Sequence, residues 1–90
     1  MPMNALWLKV EPEHVSESLR EALQKLDGTE PELALDFSAA HRIDPPALQV
    51  LEKLAAKAEQ KAVRVVLCGV RVEIYKVLKL MKLTPKFSFR

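Results

Sequence analysis

Short apolar segments alternate with amphipathic helical patterns along this chain of 90 residues. We predict strands from their β-branched and aromatic content at residues 6–10, 32–37, 62–70 and 87–89. We predict helices from apolar residues at helical spacing at residues 15–26, 46–61 and 72–82. This order favours a mostly parallel sheet formed through right-handed crossovers. The prediction is a single small α/β domain over residues 1–90, with about four strands and three helices; it leaves open whether the helices cover one sheet face or both.

Length and composition limit what this domain can be. A chain of this size buries only roughly 60–65% of the surface that it exposes when unfolded, so it has one modest core. The single cysteine cannot form an internal disulfide, and the first residues, Met1-Pro-Met-Asn-Ala, lack the features of a secretory signal. The apolar runs are far shorter than the ~20 residues that cross a bilayer. We therefore expect a cytoplasmic protein without direct membrane insertion.

The two halves of the chain carry opposite charge. Residues 1–45 hold four Lys/Arg against nine Asp/Glu, whereas residues 46–90 hold ten against three. This asymmetry favours docking to a partner of mixed charge or head-to-tail association of copies. The alternative is that these charges form two solvated helix faces of opposite sign.

Polar residues cluster between the second predicted strand and the second predicted helix. Asp36 and Ser38 follow the strand, and Asp44 precedes two prolines. The carboxyl ends of parallel strands and the helix N-termini after them are common binding sites in α/β sheets. One interpretation is a partner-contact surface at this junction. The other is that Asp44 caps the helix while Asp36 and Ser38 bond backbone groups of the turn.

Residues 36–48, Asp-Phe-Ser-Ala-Ala-His-Arg-Ile-Asp-Pro-Pro-Ala-Leu, resemble the signature of the STAS domain family (sulfate transporter and anti-sigma factor antagonist). The family pattern is Asp-Leu-Ser, three or four mixed residues, Ile-Asp, then Ser-Ser-Gly-Leu. Residues 65–70 and 74–83 are similar to the family's last buried strand and the helix after it. The resemblance spans residues 33–89 and lacks the family's first edge strand. It implies a STAS-like fold and a non-enzymatic domain that binds proteins.

The chain departs from the family pattern at the start of the second helix. In anti-sigma factor antagonists a kinase phosphorylates the serine after Ile-Asp, where this chain has Pro45, and Ala47 stands at the family glycine. Pro45 and Pro46 lack a hydroxyl and remove two N–H groups that could bind an anion. We expect Pro46 at the first helical position and disfavoured helical geometry at Pro45. The resemblance therefore implies a rigid docking corner without the phosphoserine switch.

The resemblance supports two functions. The first is an anti-sigma factor antagonist-like module whose partner is a kinase-like anti-sigma factor or another STAS protein. The alternative is an accessory subunit that binds the ATPase of a phospholipid-transport ABC system, since its STAS members share the patterns at residues 42–44 and 69–80. A third possibility is a homodimer or scaffold. The predicted partner-binding residues are Asp36, Ser38, Arg42, Asp44, Pro45, Pro46 and Tyr75.

Residues typical of catalytic, metal or nucleotide sites are sparse. His14 and His41 are far apart, without ligands at metal-binding spacing, so we predict no metal site. Cys68 lies in an apolar strand, where we expect a core thiol with a raised pKa rather than a nucleophile. With only two glycines the chain has no phosphate loop, and we predict no cofactor.

Basic residues recur along the third predicted helix and after it. We expect them to form either a solvated face or a strip for nucleic acid or anionic lipid headgroups. Aromatic residues that would stack on bases are not interleaved with them, so we predict no nucleic-acid partner. Trp7 is either a core residue or an exposed edge anchor. The basic residues are Arg71, Lys76, Lys79, Lys82, Lys86 and Arg90.

Overall fold

Four strands and three α-helices alternate along residues 5–90, the residues that this computed structural model describes. The strands are β1 Ala5–Lys9, β2 Glu32–Asp36, β3 Arg64–Cys68 and β4 Ser88–Phe89. The helices are α1 Val15–Lys25, α2 Pro45–Lys61 and α3 Val72–Leu80, followed by a 3-10 turn at Thr84–Lys86. The strands form one all-parallel sheet in the order β1-β2-β3-β4, which confirms the predicted α/β class. The expectation about a secretory signal rests largely on residues 1–4, which lie outside the described residues.

The three helices pack on one face of the sheet. Strands that follow each other in order, joined by right-handed crossovers, bring every connecting helix to the same side. Leu33 and Leu35 of β2 and Leu67 of β3 point to that side and share one core cluster with buried residues of all three helices. All three helices therefore cover the same sheet face, which the helical pattern in the sequence did not decide.

Polar side chains cover the other face of the sheet. Because side chains alternate along a strand, Val66 points away from the helices. It is fully buried although no helix covers it. Side chains from different strands meet on this face: the Arg90 guanidinium, just after β4, lies 3.5 Å from Glu32 Oε1 of β2, and Arg64 Nε of β3 donates to Ser88 Oγ of β4 at 3.1 Å. The long arginine side chains thus lie across the part of the sheet that the helices leave uncovered.

Trp7 and Cys68 are both less buried than core residues. Trp7, on the edge strand β1, is 46% exposed, so it is an edge residue rather than part of the core. The expectation of a core thiol at Cys68 was wrong, because Cys68 is the last residue of β3, on the face away from the helices, and is only half-buried. Its partial burial nevertheless raises the pKa of the thiol.

Left-handed residues end two of the helices. Ala62 follows α2 at φ 57°, and Val63 N–H bonds back to Ala58 C=O at 2.8 Å. Lys82, at φ 59°, plays the same part after α3, which ends at Leu80 and not at residue 82 as predicted. Such a turn satisfies the last helical carbonyls while reversing the chain direction. It stops α3 early even though the basic and apolar pattern continues.

The carboxyl ends of β2 and β3 are in close backbone contact. Phe37 N–H bonds to Cys68 C=O at 2.8 Å. Gly69 adopts φ +67°, and a Cβ atom added there would lie 3.0 Å from Ser38 Cβ and 3.2 Å from Ser38 Cα. Only glycine allows both this backbone conformation and this approach. The loop after β3 therefore lies directly against the loop after β2.

We predict that Ala62→Gly stabilises the protein. Glycine has no Cβ atom, so the substitution removes the steric conflict at positive φ. This stabilisation exceeds the loss that comes from the greater entropy of the unfolded chain, so the free energy of unfolding should rise by about 0.5–1 kcal/mol. The matched control is Ala56→Gly, an exposed site inside α2, which should lose about 1 kcal/mol. Urea unfolding measures both. A loss of stability in Ala62→Gly would contradict the left-handed assignment.

We predict that Gly69→Ala destabilises the protein more than Gly28→Ala. Both glycines have positive φ, so either substitution should cost about 1–2 kcal/mol. At Gly69 the new methyl group also overlaps Ser38, adding about 1–3 kcal/mol. At Gly28 the nearest atom is Lys61 Cβ at 3.4 Å, an ordinary contact. Equal losses of unfolding free energy in the two variants would show that the two loops are not packed as described.

Candidate functional site

The first turn of α2 has no free backbone donor. Asp44 precedes the helix, and its Oδ1 accepts the Ala47 N–H at 3.0 Å. The Leu48 N–H donates to Asp44 C=O, also at 3.0 Å. Pro45 and Pro46 have no N–H at all. Anions bind helix N-termini through free N–H groups, so this helix start lacks the groups that would hold a phosphate.

The helix begins one residue earlier than predicted. We expected Pro46 at the first helical position, whereas α2 starts at Pro45. The steric conflict between a proline ring and the preceding residue disfavours helical geometry there but does not forbid it. Here Asp44 accepts hydrogen bonds from the N–H groups of Ala47 and Leu48, which hold the first turn in helical geometry. Each proline also fixes its own φ near the helical value. Pro45 and Pro46 thus form the first turn of α2, and both are exposed, as is Asp44.

Asp36 and Ser38 form a turn after β2. Asp36 Oδ1 accepts the Ser38 N–H at 2.9 Å, and this hydrogen bond lowers the pKa of Asp36. Arg71, just before α3, donates to Ser38 C=O at 3.3 Å. The Asp36 carboxylate is therefore engaged within its own loop. The Ser38 residue is exposed, with its backbone held from both sides.

Arg42 and Tyr75 lie in different surroundings. Arg42 is exposed and lines a hollow between the loop before α2 and one side of α3. Tyr75 packs edge-on against Phe89 of β4, with ring centroids 5.2 Å apart and planes at 71°. Tyr75 is not among the residues that line the Arg42 hollow. Those residues are His41, Arg42, Ile43, Glu73, Ile74 and Val77.

The structure groups only part of the predicted site. Asp36 and Ser38 belong to one turn, and Asp44, Pro45 and Pro46 form the corner of α2. Among the described residues, no side-chain hydrogen bond or ion pair joins Tyr75 to either group.

Sequence reasoning missed two residues of this site. Gly69 entered the prediction only as part of a strand and of the family patterns, and Arg71 was assigned to a basic strip, yet both contact Ser38. Arg90 also faces away from that strip, toward Glu32. Parallel strands bring their carboxyl ends together, so a glycine and a basic residue after one strand could have been paired with the turn after its neighbour.

Residues 5–90 contain no group of three or more His, Cys, Asp or Glu placed to hold a metal ion. His14 Nδ1 instead lies 2.8 Å from Glu17 Oε2. Within the same part of the chain, no helix has the length and apolar character needed to cross a membrane.

Comparisons with known proteins agree with this fold. A sulfate transporter family protein from Wolinella succinogenes superposes with a TM-score of 0.80 at 18% identity, over 99% of this chain and 79% of that one. The SulP transporter STAS domain of Vibrio cholerae gives 0.71 at 14% identity, over 100% and 76%. A candidate anti-sigma factor antagonist from Thermotoga maritima gives 0.65 at 21% identity, over 99% and 74%. At these identities the likeness establishes the fold alone.

Sequence comparison provides the family assignment. Among curated proteins, no sequence matches the chain significantly. The profile of the STAS domain matches residues 13–90, which include the turn after β2, the α2 corner and α3. This match covers most of the chain and confirms the resemblance seen at residues 33–89. The chain therefore belongs to the STAS domain family.

Proposed function

We propose that this STAS domain is a non-enzymatic protein-interaction module of bacterial regulation, similar in role to anti-sigma factor antagonists but without their phosphoserine switch. Its partner is a kinase-like anti-sigma factor or another STAS protein. The observation that carries the proposal is the first turn of α2, where residues 45–48 either lack an N–H group or bond it to Asp44.

Chemistry at the corner supports binding without covalent control. A phosphorylated residue there would need a hydroxyl, which Pro45 does not supply, and donors for the added charge, which the turn has already used. The prolines also restrict the backbone before any partner arrives, which lowers the entropy that binding must overcome. Ser38 and Arg42 add exposed polar groups to the loop that leads to the corner.

A second candidate function has its own supporting observation. The pattern shared with STAS subunits of phospholipid-transport ABC systems covers Arg42–Asp44 beside the corner and residues 69–80, and within the second part Tyr75 and Leu80 are exposed on α3. Tyr75 packs against Phe89 of β4, and Leu80 is 82% exposed. A surface on α3 would suit an ATPase that contacts the domain away from the prolines.

We predict that ATP does not release the anti-sigma partner. When the chain is incubated with its kinase-like partner and ATP, the peptide containing residues 43–50 should remain without phosphate. The affinity for the partner should stay within about twofold, because no charge is added to the contact. Mass spectrometry and a binding titration with and without ATP measure both. Phosphate on that peptide would refute the account of the prolines.

We predict that a charge reversal at Arg42 weakens partner capture. Arg42→Glu should weaken capture of an anti-sigma factor or STAS partner at least tenfold, because an exposed cation beside the corner becomes an anion. The control is Lys53→Glu, the same change of net charge on the exposed side of α2. Affinity capture with quantitative mass spectrometry compares the two variants with the unmodified chain.

The proteins captured decide between the two functions. Recovery of an anti-sigma factor or STAS protein that Arg42→Glu loses and Lys53→Glu retains supports the first proposal. Recovery of a transport ATPase supports the second. If the unmodified chain captures neither class, both proposals are wrong.

A further inference from the structure

Helix α3 carries apolar side chains on its outward face as well as on its inward face. Ile74 and Leu78 point inward and are fully buried. Val72, Tyr75 and Leu80 point outward and are 63%, 40% and 82% exposed, respectively. At about 100° per residue, Tyr75 lies roughly 60° to one side of Val72 and Leu80 roughly 80° to the other, so the three span a wide arc of the exposed surface, with Tyr75 at its edge against Phe89. A solvated surface helix normally keeps that surface polar.

Lys76, Lys79 and Glu73 are the other exposed residues of α3, and Glu73 lines the Arg42 hollow. Lys76 and Lys79 lie between Val72 and Leu80 in the helical pattern, and Lys82 follows the helix in the left-handed turn. Lys76, Lys79 and Lys82 line one shallow hollow together with Leu80. Within residues 5–90 none of these lysines lies in an ion pair. We call these six residues (Val72, Tyr75, Lys76, Lys79, Leu80 and Lys82) the outer face of α3.

We propose that the outer face of α3 adsorbs to anionic membrane surfaces. Clustered lysines are attracted to anionic lipid headgroups, and exposed apolar side chains beside them can enter the boundary between headgroups and acyl chains. The lysines would interact with the lipid phosphates, while Leu80 and Val72 would reach the upper acyl region. This is peripheral adsorption, and no part of α3 would cross the membrane.

The shape and chemistry of this face favour a lipid surface over an acidic protein. The apolar residues protrude singly from a short helix, and a fluid surface can adapt to them without a matching pocket. The cations are lysines, which act as flexible point charges, whereas arginine forms the bidentate contacts typical of fixed carboxylate partners. Arg71 and Arg90, the arginines nearest in sequence, contact Ser38 and Glu32 instead.

The test is co-sedimentation of the 90-residue chain with vesicles. Vesicles of phosphatidylcholine alone are compared with vesicles containing phosphatidylglycerol at 30 mol% (roughly the anionic content that gives strong surface attraction). We expect binding only to the anionic vesicles, and weaker binding when salt shortens the range of the attraction. Poly-glutamate and duplex DNA serve as competing polyanions.

Matched variants identify the surface. Lys79→Glu should reduce binding about tenfold or more, since an attracted charge becomes a repelled one. Lys53→Glu, an exposed lysine on α2 with the same change of net charge, should reduce it less than about threefold. Leu80→Ser should also weaken binding, and its exposure keeps the fold intact. Circular dichroism checks that each variant is folded, and Leu80→Ser decides the outcome if Lys79→Glu is not.

Three outcomes overturn the proposal. One is the absence of binding to anionic vesicles at low salt. Another is equal loss in Lys79→Glu and Lys53→Glu, which would mean that net charge alone is responsible. The last is stronger binding to poly-glutamate or DNA than to the vesicles, which would assign the outer face to a protein or nucleic-acid partner. Partner capture through the α2 corner does not depend on any of these results.

Discussion

The contact between Gly69 and Ser38 fixes how the loops before α2 and α3 lie against each other. Both loops leave the carboxyl end of the sheet, and the Phe37–Cys68 hydrogen bond continues the ladder up to the point where they separate. Because Gly69 has no side chain, the chain before α3 passes directly over the turn before α2. The starts of two helices are therefore positioned by a single backbone contact between neighbouring strands.

Much of the fold could be predicted from sequence because it depends on periodicity. Alternating short apolar runs and helical stripes gave the element order, and parallel pairing follows from helical crossovers. What was missed depends on contacts between distant residues. The partial exposure of Cys68 follows from its place at the end of β3, on the sheet face that the helices do not cover, and the role of Arg71 follows from the approach of two loops. Neither is encoded in a local pattern.

The candidate site shows the same division. Capping by Asp44 could be predicted because the bond to Ala47 spans three residues. The start of α2 at Pro45 could not, since a local steric preference pointed the other way. Tyr75 was grouped with the corner through a family pattern, whereas its contact is with Phe89. The domain thus has two separate surfaces, a polar corner with a rigid backbone and a basic, partly apolar helix.

The position of Trp7 has a consequence for optical studies of this protein. Trp7 is the only tryptophan in the chain. It is half exposed on the edge strand β1, and its side chain points away from the helices. Its fluorescence emission would change if another chain paired with the free edge of β1. A ligand that binds at the prolines or at the lysines would leave the environment of the indole ring unchanged. Unchanged fluorescence therefore does not show that no complex has formed.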